Sequence, residues 1–90
     1  MAQKVKGWGI KMNLKQLESL VLIIESGSFS QAANKLFLTQ PTISSHISLL
    51  EKELKAQLLV RTTKDVHPTE DGKKLYTYAK QILRLQDSIF

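Results

Sequence analysis

The chain has 90 residues, of which 42% are hydrophobic, and a formal net charge of +5 at pH 7. A chain of this length forms one small domain, and the apolar fraction is too high for a disordered protein. The absence of cysteine excludes disulfides and thiolate metal sites, and the two histidines are isolated in the sequence, so we expect no metal and no other cofactor.

The sequence contains no signal for a membrane or for secretion. Its longest apolar run, residues 20–24, is far shorter than the ~18 residues that span a bilayer. The lysines near the N-terminus are not followed by an apolar segment and a cleavage site. We therefore expect a cytoplasmic protein with no membrane partner.

The positive charge is concentrated towards the two ends of the chain. Residues 1–13 have three lysines and no acid, residues 14–60 have four lysines and four glutamates, and residues 61–90 have six bases and four acids. Charge alone therefore favours DNA binding only modestly over a plain soluble domain. Residues 1–11 lack a helical or strand period. We interpret them as a flexible leader: a native extension, a misplaced start, residues added by cloning, or a lysine-rich arm that reaches DNA.

The first predicted element is a helix over about Leu14 to Ser26. Its apolar residues recur with the 3.6-residue period, and Ser26 with Gly27 provides the stop signal. Leu22 and Ile23 widen the apolar stripe, which indicates that this helix is buried on more than one side.

Two further helices follow, and the first of them is short. Ser28 or Ser30 can cap its N-terminus, and Phe29 can staple that end to the core. The side chains that we expect to face inward are Ala32, Ala33, Leu36 and Phe37. Thr39 caps the next helix, which runs from about Gln40 to Leu54. A tight turn between two such helices predicts a helix-turn-helix at about residues 29–48, whose second helix presents its N-terminal end to the major groove.

The segment after the third helix is polar and lacks a helical stripe. Residues 58–61 and 65–67 can form two short strands around a turn at Thr63 and Lys64, which would be a small wing. Thr69 then caps a long helix that has acidic residues in its first turn.

The last helix has two apolar stripes. One consists of Tyr76, Ala79, Leu83 and Phe90. When one stripe packs on its own domain the other needs a second surface, and a partner chain is the simplest source of it. The expected homodimer interface consists of Leu75, Tyr78, Ile82, Leu85 and Ile89. Because the period is still running at the last residue, we expect that the helix leads into a segment that this chain lacks.

Several short motifs occur in order along residues 12–85. They are L-x-x-L from Leu14, GSFSQAANKLFLTQPTIS over residues 27–44, I-x-x-L-E over residues 47–51, leucines at 54 and 58, R-T at residues 61–62, and T-x-x-G over residues 69–72. Each motif is weak alone, but the ordered set at these spacings is specific. It resembles the N-terminal DNA-binding domain of LysR-type bacterial transcription regulators.

The resemblance implies a mainly α winged helix-turn-helix, with a three-helix core and a small β wing, followed by a long linker helix that dimerises. The leader would then cover residues 1–11, the DNA-binding domain residues 12–70 and the linker helix residues 71–90. The resemblance also implies an absent C-terminal domain that binds a small-molecule inducer, a tetramer in the full-length protein, and a promoter-proximal inverted repeat as the DNA target.

Four positions depart from the family pattern. Ser45 stands where arginine is common, Lys55 and Asp65 stand where glycine is common, and Leu59 stands where phenylalanine is common. Without the arginine, the third helix cannot form a bidentate contact with guanine from that position. We therefore expect it to read DNA through glutamine, proline, threonine and serine, partly through water.

The predicted base contacts are Gln40, Pro41, Thr42, Ser44, Ser45 and His46. Glutamine can read adenine in a bidentate way, and proline and threonine can pack against thymine methyl groups. The alternative for Gln40 and Thr42 is that they only solvate the end of the helix. Ser45 suits a direct or water-mediated contact. His46 either touches DNA or covers the surface of the helix.

The predicted backbone and wing contacts are Ser28, Ser30, Gln31, Thr39, Arg61, Lys64 and His67. Free N–H groups and the helix dipole favour phosphate at the start of the second helix, although the side chains there can also serve only as caps. Arg61 either contacts the DNA backbone or forms a structural salt bridge. Lys64 at the wing tip suits a phosphate or the minor groove.

An enzyme is not expected, because the sequence contains no metal cluster, no glycine-rich phosphate loop and no catalytic triad. Ser45 and His46 are adjacent on a helix, so their side chains point apart. The alternative to DNA binding is a winged helix used as a protein-interaction module. The salt dependence of binding separates these two functions.

Overall fold

A computed structural model describes residues 12–89, so the predictions for residues 1–11 and for Phe90 lie outside the described residues. The elements are α1 (Leu14–Ser26), α2 (Phe29–Leu36), α3 (Gln40–Leu54), β1 (Leu59–Arg61), β2 (Val66–Pro68) and α4 (Glu70–Ile89). The mainly helical fold with a small two-stranded wing is the predicted one. Within the described residues, no helix is both long enough and apolar enough to cross a membrane.

Helix α1 lies at the centre and contacts α2, α3 and α4. The largest fully buried apolar side chains are Leu20, Ile23, Ile43, Leu50 and Leu58. Ala32 and Ala33 are also buried, and their small side chains allow α2 to approach its neighbours closely. The core therefore joins all three helices of the DNA-binding fold and includes Leu58, just before the wing.

Side-chain caps set the starts of the first three helices. Asn13 and Gln16 form a reciprocal capping box at α1, which the sequence analysis did not identify. Ser28, rather than Ser30, caps α2, because its hydroxyl accepts a hydrogen bond from the Gln31 backbone N–H. Thr39 caps α3 as predicted. These contacts involve neighbours three residues apart, so local sequence is sufficient to determine them.

The prediction that Phe37 faces inward is wrong. Phe37 lies in the left-handed conformation at the end of α2, with φ 57° and ψ 41°, and its side chain is 93% exposed. The reversal satisfies the last turn of α2, because the Phe37 N–H donates to the Asn34 carbonyl at 3.2 Å. Since the helical period stops at Leu36, the next side chain no longer follows the buried stripe.

Glycine substitution at the two left-handed non-glycine residues, Phe37 and Lys55, is expected to stabilise the domain. Their φ angles are 57° and 54°, which glycine adopts without strain. The strain removed exceeds the entropy cost of glycine, so the net stabilisation is about 0.5–1 kcal/mol at each position. Thermal unfolding of Phe37→Gly and Lys55→Gly measures the effect. Lys35→Gly, inside the last turn of α2, is the control and is expected to destabilise. Unchanged or lower stability in both left-handed variants would contradict the prediction.

The wing is an antiparallel pair in which Val60 lies opposite His67. Each strand starts one residue after the predicted position. The turn is closed by Thr62, whose N–H donates to the Asp65 carbonyl at 2.8 Å and whose hydroxyl lies 3.0 Å from the Asp65 carboxylate. Asp65, which stands where glycine is common in the family, therefore has a structural role in this turn.

Glu51 fastens the wing to α3. One carboxylate oxygen of Glu51 accepts hydrogen bonds from the backbone N–H groups of Leu58 at 2.8 Å and Leu59 at 3.3 Å. These two donors belong to buried residues just before and at the start of β1, and a buried N–H without a partner would be costly. Glu51 therefore stabilises the wing, and this contact explains the acid in the I-x-x-L-E motif.

The T-x-x-G motif fixes the start of α4. The Thr69 hydroxyl donates to the Gln57 carbonyl at 2.6 Å and accepts from the Gly72 N–H at 3.0 Å, as an N-cap. Gly72 is buried directly against the Leu58 carbonyl group. The helix consequently begins in close contact with the backbone that leads into β1.

A polar cluster joins α4 to the C-terminal end of α1. One carboxylate oxygen of Glu25 accepts from the Tyr76 hydroxyl at 2.7 Å and from Lys80 Nζ at 2.9 Å. These hydrogen bonds, first that from Lys80 and then that from Tyr76, hold the pKa of the Glu25 carboxyl below its ordinary value. The same contacts raise the pKa of Tyr76 and of Lys80. The cluster therefore fixes the direction in which α4 leaves the domain.

The stabilisation by Glu25 is expected to disappear in acid. Since its pKa is depressed in the folded state, the contribution is fully present above the ordinary value of 4.5 and is lost as the pH falls through the lower folded value. The unfolding free energies of the parent chain and of Glu25→Gln should differ at pH 7 and converge as the pH falls below the ordinary value and through the lower folded value. Glu18→Gln, on the exposed face of α1, is the control. A difference that persists unchanged at low pH would contradict the assignment.

Candidate nucleic-acid interface

Helix α3 exposes neutral polar side chains in its first turns, beside its buried stripe. Ile43, Ile47 and Leu50 face the core, whereas Gln40 and Ser45 are exposed and Ser44 is partly exposed. Pro41 is exposed in the first turn, and Thr42 is half-buried beside the Thr39 cap, with 2.9 Å between the two hydroxyl oxygens. The structure thus brings together five of the six predicted base contacts at the N-terminal half of one helix.

His46 lies apart from that surface. Its Nδ1 is 2.7 Å from the hydroxyl of the fully buried Ser19 on α1. Burial, and secondarily the charge of Lys15, lowers the pKa of His46 below its ordinary value. The imidazole therefore joins α3 to α1 in its neutral form near pH 7.

The start of α2 forms the second part of the surface. Ser28 and Ser30 have their hydroxyl oxygens 3.1 Å apart, and the Ser28 hydroxyl also receives the Gln31 N–H. Ser30 and Gln31 are exposed. Capping thus uses Ser28, while Ser30 and the remaining N–H groups of the first turn stay close to the solvent, where an anion could approach them.

The wing forms the third part. Lys64 is exposed at the tip of the Thr62–Asp65 turn, next to the exposed Thr63. His67 is exposed on β2, and its Nδ1 lies 3.6 Å from the Asp65 carboxylate. Lys64 is therefore the exposed basic side chain at the wing tip, whereas His67 lies next to an acid.

Arg61 lies between these three parts. Its Nη2 donates to the Ser44 hydroxyl at 3.3 Å, and its guanidinium carbon is 3.8 Å from the centre of the Phe29 ring. Within residues 12–89, Arg61 forms no salt bridge, so that alternative is not supported. A shallow concavity of about 200 Å³ is lined by the start of α2, Arg61 and the wing turn. These contacts join α2, α3 and β1 into one continuous surface.

Helix α4 exposes an apolar stripe away from this surface. Tyr78, Leu85 and Ile89 are 62%, 67% and 75% exposed, and Ile82 is 37% exposed. Leu75, the fifth predicted interface residue, packs partly against the core, as do Tyr76 and Leu83 of the other stripe. An exposed apolar stripe of this kind is typical of an interaction surface.

Sequence reasoning missed several structural pairings, and the three that follow show what signal was available. They are Phe29 with Arg61, Glu51 with the backbone of the wing, and Glu25 with Tyr76 and Lys80. A partial signal existed for two of them, because Glu51 and Arg61 occur in motifs that the resemblance includes. The Glu25 cluster left no local signal, since its partners lie 51 and 55 residues away.

Comparisons with known proteins agree with this arrangement. The family model described as bacterial regulatory helix-turn-helix protein, lysR family, matches residues 14–73. The nitrogen assimilation regulatory proteins nac of Klebsiella aerogenes and of Escherichia coli K12 are 49% and 48% identical over 73 residues. Those 73 residues are 81% of this chain but only 24% of each relative, so the chain spans about a quarter of their length.

Solved structures with the same fold include complexes with DNA. The BenM DNA-binding domain bound to catB site 1 DNA has a TM-score of 0.83 and 40% identity, over 87% of each chain. A CbnR DNA-binding domain–DNA complex has a TM-score of 0.81 and 30% identity, over 86% of this chain and 88% of that one. With its family model, relatives and fold in agreement, the chain belongs to the LysR family of bacterial helix-turn-helix regulators, a family of transcriptional regulators rather than enzymes.

Proposed function

We propose that the chain is a sequence-specific DNA-binding domain of a transcription regulator, and that α3 enters the major groove. The observation that carries this proposal is the exposed neutral polar face at the start of α3, flanked by the α2 N-terminus and by the wing. Uncharged hydrogen-bonding side chains suit the edges of DNA bases, while the flanking backbone N–H groups and basic side chains suit phosphates. The DNA complexes of the related BenM and CbnR domains support the same assignment.

The proposed base-contacting set consists of Gln40, Pro41, Thr42, Ser44 and Ser45. The proposed backbone and wing contacts are Ser28, Ser30, Gln31, Thr39, Arg61, Lys64 and His67. We assign His46 a structural role instead of the predicted base contact, because its hydrogen bond to Ser19 directs the ring towards α1. Five short side chains make few strong contacts, so affinity depends on binding two half-sites together.

The exposed stripe of α4 supports binding as a homodimer on an inverted repeat. The interface residues are Leu75, Tyr78, Ile82, Leu85 and Ile89. Two-fold symmetry in the protein then matches two-fold symmetry in the DNA. For the longer protein that the curated relatives suggest, we propose a tetramer, a small-molecule inducer bound by a C-terminal domain, and a cytoplasmic location.

Simultaneous substitution of Gln40→Ala and Ser44→Ala is the direct test of the α3 assignment. Operator DNA is first recovered by selection from random duplexes with the parent chain. The double variant is expected to bind that operator roughly 30-fold more weakly, because two base contacts are lost. Its affinity for unrelated DNA should be unchanged, since nonspecific binding depends on phosphate contacts. Both affinities are measured by fluorescence anisotropy.

Gln81→Ala with Ser88→Ala is the matched control, because it changes the same residue types on the exposed side of α4. An unchanged operator affinity in the α3 variant would overturn the assignment of α3. The same titrations are repeated over a series of salt concentrations, where DNA binding should weaken steeply. Binding that selects no DNA sequence and ignores salt would instead favour the protein-interaction module.

A further inference from the structure

A hydroxyl group within a helix can donate to the carbonyl one turn earlier. Four side chains of this chain do so at 2.7–3.2 Å: Ser19 to Lys15, Ser26 to Leu22, Thr77 to Lys73, and Ser88 to Arg84. In this arrangement the hydroxyl proton is used inside the helix and is not available for a ligand.

Ser44 differs from these four residues. Within residues 12–89, its only recorded side-chain hydrogen bond is the one that it accepts from Arg61 Nη2 at 3.3 Å. The Ser44 proton is therefore not donated to the Gln40 carbonyl or to another described protein group. A serine hydroxyl has one proton and two lone pairs, so occupation of a lone pair by a guanidinium leaves the proton for an external acceptor.

Arg61 is held in this position by an aromatic platform. The guanidinium carbon lies 3.8 Å from the centre of the Phe29 ring, well within cation–π range. A distance of 3.3 Å is long for an N–H···O hydrogen bond. The hydrogen bond alone would hold the arginine weakly, and the contact with the Phe29 ring adds to it. The planar guanidinium can stack and donate at once, whereas a lysine ammonium cannot reproduce both contacts.

We propose that Arg61 is a positioning residue, which orients the Ser44 hydroxyl as a hydrogen-bond donor to an acceptor on the DNA. The nearby positive charge polarises the hydroxyl and favours donation over acceptance. Acceptors in the major groove are guanine N7 and O6, adenine N7 and thymine O4, whereas cytosine presents a donor. A phosphate oxygen is also an acceptor, and the experiment distinguishes it from a base. This inference rests on the proposed DNA-binding function.

The test is a double-mutant cycle between Arg61→Lys and Ser44→Ala, measured on the selected operator and on its single base-pair variants. Arg61→Lys keeps the charge but loses the stacked, planar donor. Each single variant should lose roughly tenfold discrimination at the same base pair. The double variant should lose no more than Ser44→Ala alone, because the arginine acts through the serine. If the two variants instead lose affinity equally for every base-pair variant, and the double variant again loses no more than Ser44→Ala alone, the acceptor is a phosphate.

Two further variants separate positioning from folding and from direct phosphate binding. Phe29→Leu removes the aromatic platform but remains apolar, and it should reproduce the loss seen in Arg61→Lys while the thermal midpoint shows that the variant folds. Lys64→Gln at the wing tip should weaken binding to all sequences alike and reduce the salt dependence by about one phosphate contact.

The inference would be overturned if the losses of base-pair discrimination in Arg61→Lys and Ser44→Ala were additive. It would also be overturned if Arg61→Lys, like Lys64→Gln, weakened binding to all sequences alike and reduced the salt dependence. Either result is compatible with sequence-specific binding by α3. Failure of the proposed function is a separate outcome, because the parent chain would then select no operator from random DNA.

Discussion

Replacing Gly72 with alanine is expected to destabilise the domain by about 3 kcal/mol, because the added methyl overlaps the Leu58 backbone. An ideal Cβ at this position would clash with the Leu58 carbonyl oxygen and lie 3.2 Å from the Pro68 Cβ. The carbonyl cannot move aside easily, since it accepts the Thr69 N–H at 3.0 Å. Thermal unfolding of Gly72→Ala should therefore show a midpoint lowered by more than about 10 °C.

The sign of this effect is diagnostic. Gly72 lies in the first turn of α4 and has an ordinary helical conformation, so alanine would stabilise by about 0.5–1 kcal/mol if the space were open. Gly27→Ala is the matched control, because Gly27 has φ 70° but no atom within 4 Å of the added Cβ. It is expected to cost about 1 kcal/mol through backbone conformation alone. Equal or greater stability of Gly72→Ala would show that α4 does not start in this close contact.

Leu85→Glu is expected to weaken binding to the inverted-repeat operator by about 100-fold, because it places a charge in the proposed dimer stripe. Burial of a leucine side chain contributes about 1.5–3 kcal/mol, and a symmetric dimer loses this contribution twice. Leu85 is 67% exposed in the isolated chain, so the fold of each protomer should be retained. Sedimentation should show a shift from dimer to monomer, and circular dichroism should show unchanged helix content.

Ser88→Glu is the control for Leu85→Glu, because it introduces the same charge on the same helix outside the stripe. It is expected to keep the dimer and nearly all operator affinity. Binding to a single half-site tests DNA reading separately from dimerisation. The Leu85→Glu variant should bind a half-site as tightly as the parent chain does. A parent chain that remains monomeric at high concentration would contradict the proposed interface for this fragment.

Arg61 and Glu51 have complementary structural roles around α3. Arg61 joins β1 to the exposed side of α3 at Ser44, while Glu51 joins the later part of α3 to the start of β1 through backbone N–H groups. The wing is thereby attached to α3 at two points. A change at either point should alter the position of the wing relative to the proposed reading surface, even where no DNA contact is removed.

The helices can be predicted from local sequence, because their starts and stops depend on neighbouring residues. The bounds predicted for α1 and α3 are those observed, and the local reasons are the stop at Gly27 and the cap at Thr39. The resemblance to the family connected Gln40 and Ser44 of the third helix with DNA. Local periodicity failed at Phe37, where the backbone reverses after the last helical residue.

The contacts between side chains of different elements depend on how the whole chain packs and could not be predicted from local sequence. Arg61 contacts a serine 17 residues away, and Glu25 binds partners 51 and 55 residues away. The tertiary structure also separates His46 from the other candidates on α3, because His46 lies beside Ser19 of α1. A periodic pattern specifies which face of a helix is buried but not which partner covers it, because the partner depends on how the helices and the wing pack together.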